Sequence, residues 1–261
     1  MTTPRSGPDT TMPDLTGRVA VVTGAGQGIG EAYVRALARC GASVVVADIN
    51  EPAAKQVADE IADDGGMSHA APVDVSSRDS TLSLAEAVRA RFGACHIVVN
   101  NAAIYHSMRF DPQLTVDINY WRKVFSVNLD GPLLVTQALA PMLIDAGWGR
   151  VVMQSSTAAY GNGGAYGTAK LALHSLTRGF ARELGSDGIT VNAIAPGPIS
   201  TEATAVTVPK DRIDALVATA SIKRVGTVDD LVGTLLFLCS DSASWVTAQT
   251  FVVDGGITVR V

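Results

Sequence analysis

The sequence predicts an α/β protein built on one doubly wound parallel sheet with helices on both faces. Three observations carry this. Short β-rich apolar runs alternate with longer helical patterns along nearly the whole chain, the pattern of repeated βα units. The runs end in polar residues or glycine turns; Thr23, Asp48, Asp74 and Asn100 close successive ones and should share one edge of the sheet. Hydrophobic residues make up 47% of the 261 positions and charged ones 17%, ample for a large core. With no internal repeat or linker, we expect a flexible tail at 1–14 and one domain over 15–261.

Arg18–Thr23 reads as a buried parallel strand. It meets Gly24-Ala25-Gly26-Gln27-Gly28-Ile29-Gly30, and a helical pattern follows to Cys40 with Gly41 as C-cap. The next strand, Ser43–Ala47, leads to Asp48 and Ile49. Strand, glycine turn, helix, strand and acid, in that order, predict a dinucleotide site. Glycines let backbone N–H groups approach a pyrophosphate, and the helix N-terminus adds partial positive charge. Gly24, Gln27, Gly28, Ile29 and Gly30 are the candidate contacts, although their spacing differs from the common G-x-G-x-x-G. Asp48 is placed to accept hydrogen bonds from a ribose diol and would repel a 2′-phosphate, so the expected cofactor is NAD and not NADP.

The alternation continues with a helix at Glu51–Asp64, a strand at Ser68–Val73, a helix at Arg78–Phe92 and a strand at Cys95–Val99. Asp74, followed by Val75, either meets the adenine or caps a helix. Asn101-Ala102-Ala103 offers small residues where a ribose can lie close. The loop Ile104–Thr115 carries Tyr105, His106, Met108 and Phe110, which either wall a substrate pocket or cover core. His106 alone reads as an exposed histidine. Asp117–Ala146 is a long helical pattern interrupted at Val127-Asn128-Leu129-Asp130-Gly131-Pro132, which predicts a kink. Either Asn128 fixes that kink and links a carbonyl-bound water to Lys170, or the kink is a helix defect without chemistry.

Gly149–Gln154 is a strand that delivers Ser155 and Ser156 to the same edge, and Ala165–Leu184 is a helix. On it Tyr166 and Lys170 stand four apart, on one face. A free tyrosine titrates near ~10, and a nearby ammonium favours the phenolate. Lys170 is therefore expected to lower the Tyr166 pKa, making the phenol an acid or base for an alcohol oxygen that Ser156 also holds. Leu171, Leu173 and Leu176 point several ways, which predicts packing against a second, two-fold related subunit. Ile189–Ile194 is a strand leading to Pro196-Gly197-Pro198-Ile199-Ser200-Thr201, where the Ile199 backbone and Thr201 hydroxyl would brace a nicotinamide carboxamide. Glu202–Ile222, with two short helical patches, is either a lid or a surface excursion. A helix at Thr227–Ser240, capped by Thr227 with Asp230 three on, and a strand at Thr250–Val253 complete the chain.

Composition excludes several classes. The net charge of −5, with no basic run, argues against nucleic acid. Cys40, Cys95 and Cys239 are scattered and odd in number, which points to reduced thiols and a cytoplasmic protein. His69, His96, His106 and His174 form no ligand cluster, so no metal is expected. No apolar run reaches the ~18 residues that span a bilayer, and the polar stretch Met1–Pro13 is no secretory signal.

Taken together, Thr23-Gly24-x-x-x-Gly28-Ile29-Gly30, Asp74-Val75, Asn100-Asn101-Ala102, Asn128, Ser156, Tyr166-x-x-x-Lys170 and Pro196-Gly197-x-Ile199-x-Thr201 resemble the short-chain dehydrogenase/reductase family, in family order and over nearly the whole chain. The resemblance implies a Rossmann-type seven-stranded sheet, a homotetramer and an Asn128-Ser156-Tyr166-Lys170 tetrad. It implies cofactor contacts at Gly24, Gln27, Gly28, Ile29, Gly30, Asp48, Ile49, Asp74, Val75, Asn101, Ala102, Ala103, Tyr166, Lys170, Pro196, Gly197, Ile199 and Thr201. Two departures stand out: Ala103 replaces a family glycine, and the Ser156-to-Tyr166 connection is shorter than usual and contains Tyr160. The expected reaction is hydride transfer between NAD(H) and a secondary alcohol or ketone. Tyr105, Met108, Phe110, Met153 and Tyr160, beside Ser156, suggest an apolar mouth for an alicyclic, aromatic or steroid-like molecule. The competing readings are a 3-oxoacyl thioester reductase, a diol or polyol dehydrogenase, and a non-catalytic NAD(H) sensor or assembly subunit.

Overall fold

The computed structural model describes residues 12–161 and 163–259; most of the expected tail, residues 1–11, lies outside them. Among the described residues Leu15 is the first that is buried, and its N–H donates to the Cys40 carbonyl. The strands are β1 (Val19–Thr23), β2 (Ser43–Asp48), β3 (Ser68–Pro72), β4 (Ile97–Asn100), β5 (Gly149–Gln154), β6 (Ile189–Pro196) and β7 (Thr250–Val253). All pair in parallel, in the order β3-β2-β1-β4-β5-β6-β7. The order reverses between β1 and β4, the place where such sheets open a crevice at their carboxyl ends.

Helices α1 (Gly28–Arg39), α2 (Glu51–Asp63), α3 (Arg78–Phe92), α4 (Ile118–Phe125), α5 (Gly131–Ala146), α6 (Gly164–Leu184), α7 (Glu202–Thr207), α8 (Lys210–Thr219) and α9 (Asp229–Leu238) complete the chain. Successive strand residues point to opposite faces, and the sequence places apolar side chains on both. Ala20, Val22, Val44, Val46, Ile97 and Val99 pack with α1, α2 and α9. Val21, Val45, Val98, Val151 and Met153 pack with α3, α5 and α6. Each fully buried Val, Leu or Ile is worth roughly 1.5–3 kcal/mol relative to exposure. These two layers hold the carboxyl edge rigid.

The predicted kink is a π-helical turn, Ser126–Asp130, between α4 and α5. Together they form a continuous helix, Ile118–Ala146, of 29 residues. By length and composition it would pass for a membrane span, although it contains no unbroken apolar run of that length. It packs instead on the sheet, burying Asn128, Val135, Leu139 and Leu143. Helix α9 begins two residues later than expected. Thr227 is not its cap: its N–H and hydroxyl both donate to Asp230, which also takes both Arg224 amino groups.

Candidate active site

The carboxyl ends of β1, β2, β4, β5 and β6 open onto one cavity of about 600 Å³. The glycine turn forms one end. Gln27 caps α1 without any side-chain hydrogen bond, and Gln27, Gly28 and Ile29 line the cavity, so the α1 N-terminus faces it. Gly28 has φ +60° and open space where a Cβ would stand, its nearest neighbour being the Thr201 methyl at 3.8 Å. Gly30 does not line the cavity. A Cβ there would overlap the Gly24 carbonyl oxygen and come within 2.6 Å of Asn101 Nδ2, so Gly30 serves close packing and not contact. Asn101 pins the same turn, donating to the carbonyls of Thr23 and Gly24 at 3.0 Å each.

Asp48 accepts from Gly26 N–H and Asn50 N–H, both at 2.9 Å, and lines the cavity beside the exposed Ile49. A carboxylate has about four acceptor positions, so lone pairs remain for a diol. Among the described residues, the cations lining the cavity are Lys123 and Lys170, and neither adjoins Asp48 in sequence. Asp74 also lines it. Its Oδ1 accepts from the Ser76 N–H and hydroxyl, and α3 is capped by Ser77, so the helix-cap reading of Asp74 is set aside. Val75, Ala102, Ala103, Pro196, Gly197, Ile199 and Thr201 complete the predicted lining. These residues fit a dinucleotide: a helix N-terminus with a side-chain-free approach, a carboxylate with spare acceptors, and small residues between.

At the other end Tyr166 and Lys170 line the cavity, 7% and 2% exposed. Lys170 Nζ lies 5.6 Å from the Tyr166 ring centroid and donates to the Gln154 carbonyl at 2.6 Å. Burial pushes the Tyr166 phenol above its ordinary range, the neighbouring Tyr105 adds to this, and a hydrogen bond with Ser156 opposes it. Burial also draws the Lys170 ammonium down to about 7. This corrects the expected electrostatics. Desolvation sets the direction for both groups, each buried away from water.

Asn128 is fully buried in the π turn. Its Oδ1 accepts from Ile104 N–H at 2.7 Å and its Nδ2 donates to the Ile104 carbonyl at 3.3 Å. It thus clamps the segment that follows β4. Ser156 lines the cavity with its hydroxyl near Tyr166, also accepting from Ala158 N–H. The Ser155 hydroxyl turns instead to the Lys170 carbonyl and His174.

The substrate side departs most from expectation. Of the five suggested aromatic and methionine residues, Tyr105 alone lines the cavity. Met153 is core and accepts from Asn100 Nδ2. Tyr160 packs on His174, Phe110 lies under Arg212, and Met108 does not reach the lining. The Tyr105 ring stands edge-on to Tyr166, centroids 5.7 Å apart, and its hydroxyl accepts from Thr204 at 3.4 Å. Sequence reasoning missed Gln154, Ala203 and Thr204 in the lining; only Thr204, one turn inside an unassigned helical patch, carried any signal.

A parallel α/β sheet with a glycine turn, an acid on β2 and a Ser-Tyr-Lys group at its carboxyl edge defines a nicotinamide-dependent oxidoreductase. The family profile described as enoyl-(acyl carrier protein) reductase, of short-chain type, matches residues 24–258. The chain belongs to the short-chain dehydrogenase/reductase family. It is 51% identical over 243 residues to an uncharacterized oxidoreductase of Mycobacterium tuberculosis, covering 93% of this chain and 98% of that protein. It is 36% identical to 7alpha-hydroxysteroid dehydrogenase of Escherichia coli, covering 93% and 94%. A crystal structure of a gluconate 5-dehydrogenase from Burkholderia cenocepacia, in complex with NADP and tartrate, superposes with a TM-score of 0.89 at 35% identity, covering 95% and 97%.

Proposed function

We propose that the protein interconverts a secondary alcohol and a ketone with NAD(H) as the redox partner. The observation that carries this is the convergence of Ser156, Tyr166 and Lys170 at one end of a cavity whose other end holds Asp48 and the α1 N-terminus. The nicotinamide, when bound, supplies the hydride chemistry. The chain's own residues manage the proton and the geometry. In ketone reduction the Tyr166 phenol, kept protonated by burial, donates its proton to the carbonyl oxygen as charge develops there. Ser156 holds the same oxygen. Lys170 anchors the neighbouring ribose, and its partial charge supplies the phenolate's partner once the proton has left. Asn128 keeps Ile104 and Tyr105 in place beside the reacting centre.

Asp48 supports NAD over NADP: a 2′-phosphate would sit against a carboxylate. The alcohol's class is supported by Ile104, Tyr105 and Ala203, an apolar approach suited to an alicyclic, aromatic or steroid-like ring. A 3-oxoacyl thioester reductase is the second reading, favoured by the 35% identity over 246 residues to a 3-oxoacyl-[acyl-carrier-protein] reductase of Pseudomonas aeruginosa. Homotetrameric assembly is supported by the half-exposed Leu171 on α6, and a cytoplasmic location by three buried free thiols.

The test is NADH consumption across ketone classes, acyl thioesters included, with Tyr166→Phe alongside. Tyr166→Phe should lose at least about 10²-fold in kcat while still binding NADH. A variant near the wild-type rate overturns the mechanism, and preference for acyl thioesters overturns the substrate class.

A further inference from the structure

Beneath the reactive pair lies a second polar cluster, largely buried, with Ser155 at the cavity lining and His174 behind it. Ser155 is 2% exposed and His174 is 7% exposed. His174 sits one turn beyond Lys170 on α6. Its Nε2 is 2.8 Å from Ser155 Oγ, and the Ser155 hydroxyl donates to the Lys170 carbonyl at 3.0 Å. A hydroxyl has one proton to give. Because Ser155 gives it to Lys170, its oxygen accepts from His174, and Nε2 is the protonated nitrogen. The Tyr160 ring lies tilted against the imidazole, centroids 5.3 Å apart. One histidine therefore gathers the end of β5, the 3-10 turn Thr157–Tyr160 and the Lys170 turn of α6.

The short connection between Ser156 and Tyr166 explains why such a brace is useful. The 3-10 turn is pressed directly onto α6. A Cβ at Gly163 would stand 2.7 Å from the Ala158 carbonyl oxygen, and one at Gly167 would stand 2.5 Å from it. With so little chain between the strand end and the helix, a small tilt of α6 moves Tyr166 relative to Ser156. A buried imidazole–hydroxyl pair costs free energy unless both are satisfied, so this one opposes such a tilt.

We propose that His174 is a positioning residue. Through Ser155 it locks the end of β5 to the Lys170 turn, and so keeps Ser156 in register with Tyr166 and Lys170. This rests on the reading of Tyr166 as proton donor. The imidazole touches neither substrate nor reacting atoms; it acts through geometry alone, where a shift of about 1 Å can cost about 10²-fold in rate.

Wild type, Tyr166→Phe, His174→Ala, His174→Gln and Ser155→Ala are compared for kcat and KM on an accepted ketone, for NADH affinity by fluorescence, and for Tm. His174→Ala should lower kcat about tenfold or more with NADH affinity within about twofold. Gln, whose amide reaches Ser155 from the same position, should restore most of the rate. Ser155→Ala should reproduce the loss, and a Ser155→Ala/His174→Ala double variant should be no worse than the poorer single one. Full kcat in His174→Ala, a change in Tm alone, or no recovery with Gln overturns the proposal. Should His174→Ala fail to fold, full kcat in Ser155→Ala overturns it equally. Tyr166→Phe at the wild-type rate would remove the proton-donor reading and the proposal together. An inactive Tyr166→Phe beside a fully active His174→Ala removes the proposal alone.

Discussion

Gly24, Gly28 and Asp48 reach the cavity as the ends of β1 and β2 and the start of α1, with buried strands behind them on both faces. Tyr105 and Thr204 reach it from the segments 104–117 and 202–222. Those segments are held to each other by Thr204 on the Tyr105 hydroxyl, Thr207 on the His106 carbonyl at 2.9 Å, and Arg212 over the Phe110 ring at 4.2 Å. Helix α8 buries no residue. Each such latch is worth about 1 kcal/mol or less, against many kcal/mol of burial behind the glycine turn. The first wall is therefore fixed by the core. The second opens at low cost, as a wall admitting substrate must.

The largest effect should come from disturbing the fixed wall. Gly30→Ala forces a methyl into the Gly24 carbonyl and should destabilise the fold by about 3 kcal/mol or more. Urea unfolding checks this, and a fully stable variant would mean that the turn is less constrained than its packing shows.

Next in size, Asp48→Ala should shift the kcat/KM ratio of NAD to NADP toward NADP by about tenfold or more, since removing one like charge is worth at least ~1.4 kcal/mol at close range. An unchanged ratio removes Asp48 from the ribose site.

A third prediction concerns the junction of the two walls. The folded-state pKa of Lys170 is depressed to about 7 from 10.5. The unfolded chain therefore binds more protons between those values, so stability falls as pH drops from about 10 to about 7 and is level below that. Lys170→Met should flatten that dependence, whose slope approaches about 1.4 kcal/mol per pH unit. Parallel slopes for the two proteins would show a solvated, charged lysine.

The smallest effect belongs to the loose wall. Tyr105→Phe removes the acceptor of the Thr204 latch while keeping the ring against Tyr166. Losing a hydrogen bond of about 1 kcal/mol should raise the ketone KM up to about fivefold without changing NADH affinity. A loss of NADH affinity would mean that the two walls are mechanically coupled.

This contrast also explains what could be read in advance. The glycine turn, Asp48 and the Tyr166–Lys170 pair lie in short segments whose geometry is local, so spacing and periodicity reveal them. Arg78–Phe92, Gly149–Gln154 and Thr250–Val253 fall within the bounds the pattern predicts, because each sits between clear turn signals. The aromatic loop was different. Phe110, Met153 and Tyr160 carry the composition of a pocket wall, yet a side chain's direction depends on what packs over it, and Arg212, Asn100 and His174 come from distant parts of the chain.

The pKa of Tyr166 is not legible in the sequence for the same reason. The i,i+4 spacing shows the lysine but not the burial around both groups, and that burial sets the direction of both shifts. By itself, then, the sequence determined the order of strands and helices, the glycine turn, the acid on β2 and the family to which the chain belongs, all properties of contiguous residues. Only the tertiary structure decided which side chains wall the substrate end, where Asn128 and His174 make their bonds, and how far burial moves Tyr166 and Lys170. Those depend on distances between segments far apart in the chain, and no local pattern encodes them.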